Sequence, residues 1–295
     1  MDPAGDSQER ARNQNTYVLN SEDEAELARL MHQDQMLNRH MGGLLPEFPA
    51  GPPLPEGGRV LDLACGPGGW ALELAFAYPK VHVFGVDISQ SIIEYARAQA
   101  WSRGLENIHF QVMNVMQPLA FPDASFDLVN GRLLLGFMLP EAWPKLLAEC
   151  RRLLKPGGVI RLTEAELPLT TSPALERLHA LFAEALKKAG QSFSADGRHV
   201  GITPVLPRLV RQAGFEEVKL RASAVEWSVE TEAHYPVFKD YLMLLELSQP
   251  FLLKMGLADQ EQLKRLVQQA VAEMQQEEFC ALYSLLTVWG YKPQE

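Results

Sequence analysis

The chain has 295 residues, 47% of them apolar, and a formal charge of -10 from 37 acidic and 27 basic side chains. That length suits one large α/β domain with additions, or two domains. The acidic balance argues against a nucleic-acid groove, which needs clustered Lys and Arg.

Residues 1–15 are polar and hold Pro3 and Gly5, so a disordered tail is expected there. Ser21 precedes Glu24 by three residues, the spacing of a helix-capping box. Leu27, Leu30, Met31, Asp34 and Leu37 then recur at helical intervals until Gly42-Gly43. Five prolines and three glycines make residues 46–58 a loop. Val60, Leu61 and Leu63 read as a short buried strand, stopped by Gly66-Pro67-Gly68-Gly69. Trp70, Leu72, Leu74, Ala75 and Phe76 continue as a helix. A second strand over residues 80–87 ends on Asp87, and a helix over 90–103 follows. Residues 107–113 alternate as a third strand, with Asn114-Val115 at its end. Phe126, Leu128 and Val129 form a fourth, which places Asn130, Gly131 and Arg132 at its carboxyl end.

A helix over 141–154 and the turn Lys155-Pro156-Gly157-Gly158 lead into a fifth strand, 159–164, tipped by Glu164. Residues 175–189 carry Leu175, Leu178, Phe182 and Leu186 on one helical face. A glycine-flanked loop, Asp196-Gly197-Arg198-His199-Val200-Gly201, comes next. A helix over 207–214 and a sixth strand from Val218 follow. Residues 230–278 are helical in pattern, and 281–291 are strand-rich. Cys65, Cys150 and Cys280 are scattered and odd in number, which fits a reducing cytoplasm better than a disulfide framework. No apolar run reaches membrane-span length and no leader-like segment opens the chain, so a cytoplasmic protein is expected.

Strand, glycine turn and helix in that order can hold a nucleotide-like ligand. Glycine lets backbone approach closely, and the helix start offers free N–H groups. Gly66-x-Gly68-x-x-Ala71 satisfies the dinucleotide fingerprint. Asp62, still on the strand, would repel a diphosphate and attract a cation. Asp87, twenty-one residues after Gly66, is placed to accept from ribose hydroxyls in either case. Ile88 beside it offers an apolar face to a base.

Asp62-x-Ala64-Cys65-Gly66-x-Gly68 resembles the first motif of class I S-adenosylmethionine-dependent methyltransferases, with Ala64 where that family often has glycine. Residues 119–129 resemble the "LPFPDxSFDxV" run of its quinone-biosynthesis group. The helix, "LKPGG" and strand around residues 155–158 also resemble this class, as does "VWGYKP" near the end. The resemblance covers residues 56–223 and 279–293. It implies a doubly wound, seven-stranded, mostly parallel α/β sheet whose last strand is antiparallel. It implies S-adenosylmethionine as cofactor and S-adenosylhomocysteine as product. Asp62, Ala64, Cys65, Gly66 and Gly68 would meet the amino-acid end of the cofactor, and Asp87 and Ile88 its ribose and base. Asn114 stands where an acid often meets the adenine amino group, with Val115 beside it. Asn130 and Arg132 would complete the site.

The expected organisation is a tail (1–15), an N-terminal helical lid segment (16–55), a cofactor-binding core (56–164, 204–229 and 279–295) and two helical lid insertions (165–203 and 230–278). The same helices could also form a homodimer interface, in place of a lid or together with it. His199 and Glu164 are the candidate general bases. No metal, nucleic-acid or membrane partner is expected. The expected function is O-, N- or C-methylation of a small, largely apolar, natural-product or quinone-like metabolite. The rivals are a nicotinamide-dependent oxidoreductase and a cofactor-binding partner without chemistry.

Overall fold

The computed structural model describes residues 16–20, 22–49, 51–52 and 54–295. Five apolar runs form the parallel part of one sheet: β1 (Arg59–Leu63), β2 (His82–Asp87), β3 (Ile108–Val112), β4 (Phe126–Arg132) and β5 (Leu154–Ala165). Their order is β3-β2-β1-β4-β5. Three more strands finish the sheet: β6 (Leu169–Thr170), β7 (Glu216–Glu226) and β8 (Ala281–Tyr291). β8 runs antiparallel between β5 and β7, as the resemblance implied. The two-residue β6 pairs with Leu282 and Ala281 beyond the end of β5. It is one strand more than expected, and two residues are too few to show a period.

The central strands β1, β4 and β5 are largely buried because helices cover both sheet faces, whereas the edge strand β3 alternates, with His109 and Val112 exposed. α2 (Gly69–Ala77) and α3 (Gln90–Ser102) pack on the face that carries Val60, Val83 and Leu128. α4 (Trp143–Leu153) and α6 (Ile202–Gln212) pack on the face that carries Leu61, Leu63 and Val129. The remaining helices are α1 (Glu24–His40), α5 (Pro173–Lys188), α7 (His234–Lys254) and α8 (Gln260–Glu273). They build a separate core with Ala165, Val225 and Leu285 from the strand ends. Inside it the Trp227 and Tyr241 rings stack at 5.0 Å.

Three local expectations change. The helix expected over 207–214 is α6, which starts at Ile202, carries Pro207 inside it and ends at Gln212. Asp23, not Ser21, caps α1: its side chain accepts from the Ala25 N–H, while Ser21 and the tail 1–15 lie outside the described residues. Residues 155–158 are an irregularity inside β5, since Phe126 pairs with Leu154 and Leu128 with Val159. Among the described residues no helix is long and apolar enough to cross a membrane.

Candidate functional site

The carboxyl ends of β1, β2, β4 and β5 open into one cavity, walled on its other side by α1, α5 and α7. Sheet ends of this kind are where open α/β folds bind ligands. Alternation along β1 sends Asp62 to the α2 side of the sheet. There it is 3% exposed and lines the cavity. Asp87 lines the same cavity from the tip of β2.

Asp62 is held by a buried relay. Arg161 donates to Glu47 through Nε (3.0 Å) and Nη2 (2.7 Å), and through Nη1 to Asn130 Oδ1 (2.7 Å). Asn130 must then turn its amide N–H toward Asp62 Oδ1, at 2.7 Å. Burial pushes the Asp62 carboxyl up to about 7, against the pull of the Arg132 guanidinium and the Asn130 bond. A buried acid this hard to ionise favours a cation as its neighbour.

The loop after β1 is strained at Ala64, whose φ of 46° lies in the left-handed region where glycine belongs. Gly68 takes φ 81°, and a Cβ on it would stand 2.6 Å from the Phe110 ring. It therefore lets the loop lie flat on β3 and is not itself on the cavity wall. Ala64, Cys65 and Gly66 are on that wall, and burial pushes the Cys65 thiol well up. Asp87 Oδ2 accepts from the Gly66 N–H at 3.0 Å and Oδ1 from the Ser89 N–H at 3.0 Å, so one carboxylate braces the loop and the start of α3. Beyond it Ile88, Ile92, Met113, Val115 and Met116 form an apolar slot.

Three expected site residues face elsewhere. Asn114 bonds its own backbone, Oδ1 accepting from the Met116 N–H at 2.9 Å, and is not on the cavity wall. Asn130 is fully buried behind Asp62 and positions that acid without reaching the cavity. Gly68 packs on Phe110, as above. Arg132 does line the cavity, gripped by α1 through Asp34 (2.6 Å) and Asn38 (2.9 Å).

Neither candidate base is placed as one. Glu164 is fully buried and off the cavity wall. Its oxygens accept from the Leu134 N–H (2.8 Å) and the Leu135 N–H (3.3 Å), fixing the turn after β4. Strand alternation is the reason: Ala165, one residue on, faces the cavity instead. His199 is exposed on the outside of its loop, and Val200 takes the inward place. Glu166 lines the cavity, but it accepts from the N–H groups of Val200, Gly201 and Thr203 and from the Thr203 hydroxyl, holding the start of α6.

Burial raises the Glu164 carboxyl to about 8, against the pull of its two N–H donors. The sign follows. The unfolded chain gives up this proton near pH 4, the folded one near pH 8. Stability is therefore greatest below the lower value and falls as pH rises between the two. The melting temperature is expected to drop from pH 5 to pH 8, and Glu164→Gln to flatten that drop. An unchanged slope in thermal scans of the variant would remove Glu164 as its source.

Sequence reasoning placed the N-terminal helix in the lid but did not single out Asp34 as a site residue. Asp34 lines the cavity and also accepts from the Gly69 N–H at 3.1 Å, at the start of α2. A carboxylate within an apolar helical row was the available signal. Tyr17, Arg29, Tyr241 and Tyr283 also line the cavity and were not singled out as site residues.

Residues 60–158 match the family model of a methyltransferase domain. The chain is 32% identical over 180 residues to a demethylmenaquinone methyltransferase of Geobacillus kaustophilus, which covers 56% of this chain and 74% of that protein. It is 31% identical over 163 residues to a probable methyltransferase, ltbC, of Aspergillus luteorubrus, covering 53% of this chain and 56% of that one. So the chain spans little more than half of one curated relative and about three quarters of the other. Among solved structures, it resembles the Haemonchus contortus phosphoethanolamine N-methyltransferase 2 bound to phosphomonomethylethanolamine and S-adenosylhomocysteine. The TM-score is 0.55 at 20% identity, over 89% of this chain and 56% of that one, a likeness of fold.

Proposed function

Since the chain belongs to the class I S-adenosylmethionine-dependent methyltransferases, we propose that it methylates a small, largely apolar, oxygen-bearing metabolite of the quinone-like or natural-product kind. One observation carries this reading: a single cavity is lined both by acids from the ends of β1 and β2 and by apolar and aromatic side chains from the loop after β4 and from the helices above it.

The residues present suit the cofactor. Asp62, buried and pushed up toward neutrality, is complementary to an amino-acid ammonium. Asp87 uses one lone pair of each oxygen on Gly66 and Ser89, and a carboxylate has others to offer ribose hydroxyls. The slot of Ile88, Met113 and Val115 suits a flat base. When bound, S-adenosylmethionine supplies a methyl group on a sulfonium with a good leaving group, and S-adenosylhomocysteine remains. A dinucleotide fits poorly, because its diphosphate would meet Asp62 and Asp34 at the loop.

Leu133, Leu135, Phe137, Phe182 and Leu244 form the acceptor wall. They orient an apolar body and keep water out, which is most of what an in-line displacement asks of a protein. Because Glu164, Glu166 and His199 are committed or turned away, the proton of the acceptor is left to its own acidity and to water. Among the described residues the cations on the wall are Arg29 and Arg132, and both already face carboxylates. That argues against a phosphate-bearing acceptor such as the one in the Haemonchus complex. Titration calorimetry with S-adenosylhomocysteine is the test. Micromolar binding is expected, and silence at millimolar ligand would end the proposal.

A further inference from the structure

Two tyrosines stand out at the acceptor end of the cavity. Tyr241 comes from α7 and Tyr283 from β8, and both line the wall. Among the described residues neither hydroxyl has a hydrogen-bond partner, and neither is sealed from the cavity. For Tyr241 this is unusual, since the residue is only 5% exposed. A buried phenol ordinarily finds a partner, because one left without loses the hydrogen bonds it made to water.

Tyr241 is fixed on two sides. Trp227 stacks on it at 5.0 Å and 23°, and His179 meets its edge at 5.7 Å and 66°. Tyr283 packs against the same cluster, held on a strand whose neighbour places Val225 opposite it. Their hydroxyls are therefore carried on rigid elements. Burial raises both phenols above their ordinary range, so they remain protonated and can donate. The charged groups around them are Arg29 and Asp240, joined through Nη1 and Oδ1 at 3.1 Å, with Glu26 on the other side of the guanidinium and Glu164 facing Tyr283. That surrounding has no cation to spare for an anionic group and no free carboxylate to hold an amine.

We propose that Tyr241 and Tyr283 are the specificity anchors of the acceptor subsite, each donating its O–H to an oxygen of an uncharged, electron-rich ring such as a phenol or hydroquinone, whose own oxygen or ring carbon attacks the methyl group and then releases its proton. The inference rests on the methyltransferase reading and deepens it. It selects the acceptor by a polar point within an apolar wall, the usual division of labour in small-molecule sites. It also states what is rejected. A hydrocarbon of the same shape leaves both donors unpaired, and sites built to bond a substrate oxygen discriminate strongly against analogues without it.

Equilibrium dialysis with duroquinone, an unreactive probe that presents two ring oxygens as hydrogen-bond acceptors, and with durene, the same carbon skeleton without them, is the test. The wild-type protein is expected to hold duroquinone at least tenfold more tightly. The Tyr241→Phe, Tyr283→Phe double variant keeps shape and packing, so durene and S-adenosylhomocysteine should bind as before. The preference for the quinone should shrink to within about threefold, since each lost hydrogen bond weakens binding by about tenfold. The readout is a ratio of affinities, so any loss of folded protein lowers both alike. A wild-type protein without the preference, or a double variant that retains it, overturns the anchor. Loss of S-adenosylhomocysteine binding by the wild type overturns the methyltransferase reading instead, and the two failures are read separately.

Discussion

Asp87→Ala is expected to weaken S-adenosylhomocysteine binding by a hundredfold or more while the chain stays folded. The carboxylate sits at the tip of β2 and accepts from the N–H groups of Gly66 and Ser89. It therefore braces the glycine loop, and in the proposed role it also presents its remaining lone pairs to the ribose. Hydrogen bonds to a charged group contribute about 1.5–3 kcal/mol each. Two ribose hydroxyls that lose such a partner account for about 3 kcal/mol or more, or over a hundredfold in affinity. Calorimetric titration of the variant beside the wild type measures it, with far-ultraviolet circular dichroism as the check on folding. An affinity within threefold of the wild type would show that the ribose is held elsewhere. Asp87→Asn, which keeps the volume and one acceptor oxygen, should fall between the two.

The largest effect on stability is expected from Arg29→Met. Arg29 is buried on α1 and bonds Glu26 through Nε (2.8 Å) and Nη2 (2.7 Å), and Asp240 of α7 through Nη1 (3.1 Å). The Tyr17 hydroxyl adds a bond to Glu26 Oε1 at 2.6 Å. Methionine fills much of the volume but leaves two carboxylates buried without their cation, which costs about 3–5 kcal/mol. In a chain this long that is a fall in melting temperature of about 10 °C. The variant should also acquire a pH dependence. Burial already raises the Asp240 carboxyl against the pull of Arg29, and removal of Arg29 raises it further. A folded-state value above the unfolded one means stability is greatest at low pH and falls as pH rises. The variant should therefore recover toward the wild type between pH 8 and pH 5. A loss below 1 kcal/mol in urea unfolding would mean that water reaches the cluster and solvates it.

Much of the sheet was legible in the sequence because its cues are local. Apolar runs of five to seven residues gave β1, β2 and β4, with Asp62 next to the end of β1 and Asp87 at the end of β2. The reversed last strand came from the resemblance, since its own alternation is poor. The structure gives the reason: both faces of β8 are covered, one by the α4 and α6 layer through Val288, the other by the helical core through Leu285.

The cavity lining was only partly legible. Asp62, Ala64, Cys65, Gly66, Asp87, Ile88, Val115 and Arg132 were named from the chain and line one cavity. Asn114, Asn130, Glu164 and His199 were named too, and each is turned away by a contact or an alternation the sequence does not reveal. A shift of one residue decides whether Glu164 or Ala165, His199 or Val200, looks inward. In a strand or tight loop that shift reverses the side chain.

By itself, then, the sequence determined what short-range chemistry can determine: the order and approximate position of most strands and helices, that a glycine turn follows β1, and that acids stand near two strand ends. The tertiary structure alone decided which side chains share the cavity. Asp34 reaches Arg132 across 98 positions and Arg29 reaches Asp240 across 211, and the two unpartnered tyrosines arrive from α7 and β8. Burial, hydrogen bonding and the resulting shifts in acidity are properties of such distant encounters. They exist only once the helices have closed over the carboxyl edge of the sheet.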